Sequence, residues 1–70
     1  MNNKKLTIKE IFVSALQNHQ KSNLKVAEKL YKDILKINPN HFESISHLGA
    51  LLVQTNKFDR AKELLQKAIE

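Results

Sequence analysis

The side chains able to do chemistry are few, and their spacing works against it. His41 and His47 lie six residues apart, a separation that places them on different faces of a helix, and no cysteine joins them. His19 is distant from both. A metal centre is therefore not expected, and all three histidines read as solvent-facing or rim residues. Ser44 and His47 could meet at i, i+3, but no acid is placed to orient the histidine and no oxyanion donor is evident. A glycine-rich phosphate loop is lacking as well. Neither a catalytic site nor a cofactor is expected.

Lysines provide the other concentration of reactive groups. Lys21, Lys25, Lys29, Lys32 and Lys36 recur at helical spacing and form one narrow stripe. Such a stripe could meet an acidic partner, a nucleic-acid backbone or an anionic membrane surface. It could equally be a solvated outer face, with Glu28–Lys32 and Lys29–Asp33 as ordinary i, i+4 pairs. The stripe lacks arginine and stacking aromatics, which favours the solvated face over a nucleic-acid site. Net charge is +5, and the excess is confined to residues 1–40, where eight lysines face three acids; residues 41–70 balance four against four.

Helices must position these groups. With one glycine and one proline, the 70 residues hold little of the turn chemistry that strands require. Thr7 and Glu10 have capping-box spacing, which predicts a first helix over Thr7–Gln20. Lys21-Ser22-Asn23 suits a turn, with Asn23 capping a second helix over Leu24–Ile37. Pro39 disfavours helix at Asn38, and Asn40 with Glu43 repeats the capping-box spacing ahead of a third helix over His41–Gln54. Thr55-Asn56 turns into a fourth helix over Phe58–Glu70. Short connections imply antiparallel neighbours. No stretch reads as a signal peptide or a membrane span, so a soluble, cytoplasmic chain is expected.

The second helix is cleanly two-faced: Leu24, Ala27, Leu30, Tyr31, Ile34, Leu35 and Ile37 fall within one half of its wheel, opposite the lysines. On the first helix, Leu6, Ile8, Ile11, Phe12, Val13, Ala15 and Leu16 cover an arc of about 220°, more than one packing face needs. The stretch Phe42–Glu70 also repeats Ile8–Lys36 at an offset of 34 residues. Ile11 aligns with Ile45, Gln20 with Gln54, Ala27 with Ala61 and Leu30 with Leu64. Softer matches join Ala15 to Gly49, Leu24 to Phe58 and Tyr31 to Leu65. A fixed period of this length marks stacked supersecondary units, and their function lies in the surface the stack creates.

These residues resemble the tetratricopeptide repeat, a helix–turn–helix unit of 34 residues. Ile45-x-x-Leu48-Gly49-x-x-Leu52 fits its first-helix pattern, Ala27-x-x-x-Tyr31 and Ala61-x-x-x-Leu65 fit its second, and Pro39 is the repeat-ending proline. The resemblance covers residues 8–70. It implies an all-α solenoid fragment of right-handed superhelical sense, with a flexible segment over 1–6, one repeat over 7–40 and a second over 41–70 that ends without a capping helix. Small residues at 15, 27, 49 and 61 are read as close helix crossings. Ser22 and Asn56 depart from the pattern, standing where the internal turns often carry glycine.

The resemblance also implies a concave groove lined by the first and third helices. Lys9, Phe12, Leu16, His19 and Gln20 would face it from one, and Glu43, Ser46, Ala50, Val53 and Gln54 from the other. Phe12 and Leu16 stand where a clamp for a C-terminal carboxylate would need lysine and asparagine, so no clamp is expected. An apolar strip with a polar rim suits a helix or extended apolar peptide of a protein partner. The same strip could instead pack on residues 1–6 or on a second copy, and apolar residues at the C-terminal end of the stack (Leu51, Leu52, Leu64, Leu65, Ile69) also favour a homo-oligomer. A further alternative is the N-terminal segment of a larger enzyme or assembly factor.

Overall fold

The computed structural model describes residues 6–69, with side chains through residue 67. Thr7 starts the first helix, α1 (Ile8–Gln20), by the expected box: its hydroxyl accepts from the Glu10 amide at 3.1 Å, and the Glu10 carboxylate accepts from the Thr7 amide at 2.8 Å. Two of the amides left orphaned at a helix start are thereby satisfied. Of the segment expected to be flexible, residues 1–5 lie outside the described residues, and Leu6 is exposed.

The helices α2 (Leu24–Ile37), α3 (Phe42–Gln54) and α4 (Phe58–Ile69) follow. Both hairpin turns close in the same way. Asn23 N–H donates to the Asn18 carbonyl at 2.8 Å and Ser22 N–H to that of His19 at 3.1 Å; Lys57 and Asn56 repeat the pattern onto Leu52 and Val53. This is the Schellman arrangement, which needs a left-handed residue just past the helix. Ser22 and Asn56 fill that position at φ 66° and 63°. The chain therefore uses the glycine conformation without glycine.

Two cap assignments are corrected by the structure. Asn23 makes no side-chain cap to α2; its side-chain Nδ2–H instead donates back across the turn to Asn18 Oδ1 at 3.3 Å. The α3 cap is His41, not Asn40. Helix α3 starts one residue later than expected, and the Asn40 amide is engaged by Asn38 Oδ1 at 3.1 Å. His41 Nδ1 accepts from the Ser44 amide at 3.2 Å and lies 2.7 Å from the Ser44 hydroxyl. With Nδ1 accepting, the proton sits on Nε2.

Helix α1 packs on α2, α2 on α3, and α3 on α4, in a slab 43 × 29 × 14 Å across. Its core joins both hairpins through Ala15, Ala27, Tyr31, Leu48, Leu51 and Leu52, closed by Ala61. Alanine at 15, 27 and 61 is buried in this core, as small residues at helix crossings are expected to be. Gly49 is different. A methyl added there would meet only the Leu65 side chain, at 3.7 Å, an ordinary contact. The expected close crossing at Gly49 therefore leaves room for alanine, and no positive φ requires glycine.

Candidate partner-binding face

Helices α1 and α3 lie side by side and are joined by rings. Tyr31 of α2 is fully buried behind them, with its ring stacked on that of His47 at 6.0 Å and 12° between planes. Phe12 approaches Tyr31 at 6.2 Å and turns its edge to His41 at 5.4 Å and His47 at 5.5 Å. Such tilted and edge-on pairs add about 0.5–1.5 kcal/mol each beyond the area they bury. Phe12 is therefore not wholly surplus to the core, as its place on the helical wheel implied. One flank packs against the buried cluster and the remainder is open.

A hydrogen-bonded chain crosses the same face. His19 Nδ1 lies 3.1 Å from the Tyr31 hydroxyl, and Nε2 lies 3.1 Å from Gln54 Oε1. One neutral tautomer satisfies both contacts: Tyr31 donates to Nδ1, and Nε2–H donates to Gln54. Burial raises the Tyr31 phenol above its ordinary value of 10.0, so the hydroxyl keeps its proton. Among the described residues no buried side-chain polar atom lacks a partner.

The ten groove residues distribute as follows. On α1, Phe12, Leu16 and His19 are half-buried, while Lys9 and Gln20 are exposed. On α3, Glu43, Ser46, Ala50, Val53 and Gln54 are all exposed, Val53 at 49%. Direct contact joins His19 to Gln54. His41 and His47 complete the surface, although sequence reasoning left them as rim residues. Their partner Tyr31 comes from another helix, so helical spacing carried no signal of the stacking. The spacing of Ser44 and His47 allowed them to meet, but Ser44 is paired with His41 instead. The Ser44 hydroxyl is fully buried and faces His41 as part of the α3 cap.

The opposite side of the molecule is ionic. The lysine stripe of α2 is exposed, and the pairs Lys29–Asp33 and Lys32–Glu28 form, each at 2.9 Å. Glu28 does more than the stripe suggested. It is buried, and it also accepts from Lys57 Nζ at 3.2 Å and lies 3.8 Å from Arg60, tying α2 to the start of α4. The Lys32 contact holds its carboxyl below the ordinary value; burial opposes that, and Lys57 reinforces it.

The model of the tetratricopeptide repeat matches residues 18–70, well over half of the chain. The chain belongs to that family. Two hairpins of tetratricopeptide type thus make an all-α helical repeat, and these repeats are, as a class, protein-interaction modules. No curated protein and no solved structure matches the chain. Among the described residues no helix is long and apolar enough to cross a membrane.

Proposed function

We propose that this tetratricopeptide repeat chain is a cytoplasmic, non-catalytic scaffold module that docks a peptide or helix of a partner protein on the face shared by α1 and α3. Phe12, Leu16, Ala50 and Val53 serve as apolar anchors. Lys9, His19, Gln20, Glu43, Ser46 and Gln54 set register along the rim. The observation that carries the reading is the bracing of this face from behind: Tyr31, His41 and His47 hold Phe12, and the Tyr31–His19–Gln54 chain spans both repeats. Side chains fixed before a partner arrives lose less conformational freedom on binding. The exposed strip of Ala50 and Val53 lies next to that bracing and belongs to no core contact.

Selection from a random peptide library against the wild-type chain tests this reading. Ligands so obtained should bind Ala50→Asp plus Val53→Asp at least about tenfold more weakly, since a buried unpaired charge costs well over 1 kcal/mol. Both positions are exposed, so the variant keeps its fold. Ligands indifferent to that change would place recognition elsewhere.

Self-association is the second reading, and one comparison favours it. Tyr31 is fully covered, whereas Leu65, in the same slot 34 residues on, is 46% exposed beside exposed Phe58. Light scattering across concentrations separates the readings, because a persistent monomer excludes this one.

A further inference from the structure

The face opposite α1 and α3 carries a second site. Past the Glu28 junction α2 and α4 part, and a cleft of about 670 Å³ opens between them. Its floor is leucine: Leu48 and Leu52 of α3 lie at the base, and half-buried Leu35 and Leu64 form the walls. Its rim is cationic on both sides, with Lys32 and Lys36 on α2 facing Arg60 and Lys67 on α4. Glu63 is the one carboxylate among the lining residues. Lys32 and Lys36, the last two lysines of the stripe, thus form one side of a two-sided rim, a relation that only the packing of the second hairpin against the first creates.

The four cations are not equivalent. Lys32 and Arg60 share Glu28. For Lys36 and Lys67, no carboxylate lies within 4.0 Å among the described residues. An apolar floor between two rows of cations is complementary to a ligand that is apolar on one side and anionic on its flanks. A nucleic acid supplies the charge but no aliphatic side chain for the floor, and the cleft presents no aromatic ring on which a base could stack. An amphipathic helix rich in glutamate or aspartate supplies both.

We propose that this cleft docks an acidic amphipathic helix of a partner protein. Its aliphatic side chains enter against Leu35 and Leu64, and its carboxylates pair with Lys36 and Lys67. The site is separate from the α1/α3 face and stands whether or not that face binds a peptide.

Fluorescence anisotropy of the whole chain with a designed helical peptide of about 15 residues provides the test; the peptide bears leucines at i, i+3, i+4 and i+7 and glutamates on both flanks. A counterpart with lysine for every glutamate is the control, and both are measured at about 0.15 M salt. The acidic peptide should bind saturably and the basic one should not. Lys36→Glu plus Lys67→Glu should weaken binding at least about tenfold, whereas Lys21→Glu plus Lys62→Glu, the same change in net charge away from the cleft, should alter it less than about threefold. Equal losses in the two variants would reduce the effect to overall charge and overturn the proposal. It would fall equally if the acidic peptide failed to bind, if Val53→Asp abolished its binding, if single-stranded RNA bound in a way equally sensitive to Lys36 and Lys67, or if the double variant shifted a monomer–dimer equilibrium instead of peptide affinity.

Discussion

Replacing Glu28 by glutamine probes the joint between the two hairpins. Glu28 is 9% exposed and faces Lys32, Lys57 and Arg60, so the substitution keeps the shape of the side chain and removes its charge. A hydrogen bond to a charged group contributes about 1.5–3 kcal/mol when buried. The three cations here are 42–61% exposed, and water screens their share. The expected loss at pH 7 is therefore about 1 kcal/mol, or about 4–8 °C in Tm for a domain this small. The pH dependence has a definite sign. The folded carboxyl titrates below its ordinary value of 4.5, so its contribution is complete above that value and disappears as pH falls through the lower, folded one. The stability difference between wild type and Glu28→Gln, measured by urea unfolding from pH 7 down to about 3, should shrink toward zero. A difference of that size at pH 7 that persisted unchanged in acid would show that the charge is not what joins the hairpins.

Four further substitutions test local physics. Ser22→Gly relieves a left-handed serine that costs about 1–2 kcal/mol, against about 0.5–1 kcal/mol of added backbone freedom in the unfolded chain; thermal unfolding should show a net gain of about 0.5–1 kcal/mol, and Asn56→Gly a smaller one. Gly49→Ala should stabilise by about 1 kcal/mol through helix propensity, since the new methyl meets Leu65 at an ordinary distance; a loss on denaturant titration would mean a tighter crossing than the geometry allows. Tyr31→Phe removes the hydroxyl facing His19 from a fully buried ring and should cost about 1 kcal/mol by the same measurement, with the helical circular dichroism unchanged.

What the sequence disclosed was local or periodic. The Thr7–Glu10 box spans three residues, the face of α2 repeats every turn, and the 34-residue offset needs only alignment of the chain with itself. Within that range the helices end where expected to within one residue. What stayed hidden depends on how one helix crosses another. Glu28 looked like a partner for Lys32 alone because Lys57 and Arg60 reach it only once α4 stands beside α2. His47 and Tyr31 stack across the junction of the two hairpins, a pairing no single-helix wheel contains. His41 rather than Asn40 caps α3, while the Asn40 backbone amide donates to Asn38, a choice among neighbours that spacing rules do not resolve. For the groove residues, the family resemblance named α3 side chains that are exposed, but neither it nor the wheel of α1 disclosed that Phe12 divides itself between core and surface.

The most direct measurement of whether α1 and α3 form the docking face is backbone amide chemical-shift mapping of the isotopically labelled chain titrated with a library-selected peptide. Shifts concentrated at Phe12, Leu16, His19, Ala50, Val53 and Gln54 are the expected result. Shifts confined to α2 and α4, with those six amides unmoved at saturation, would contradict it.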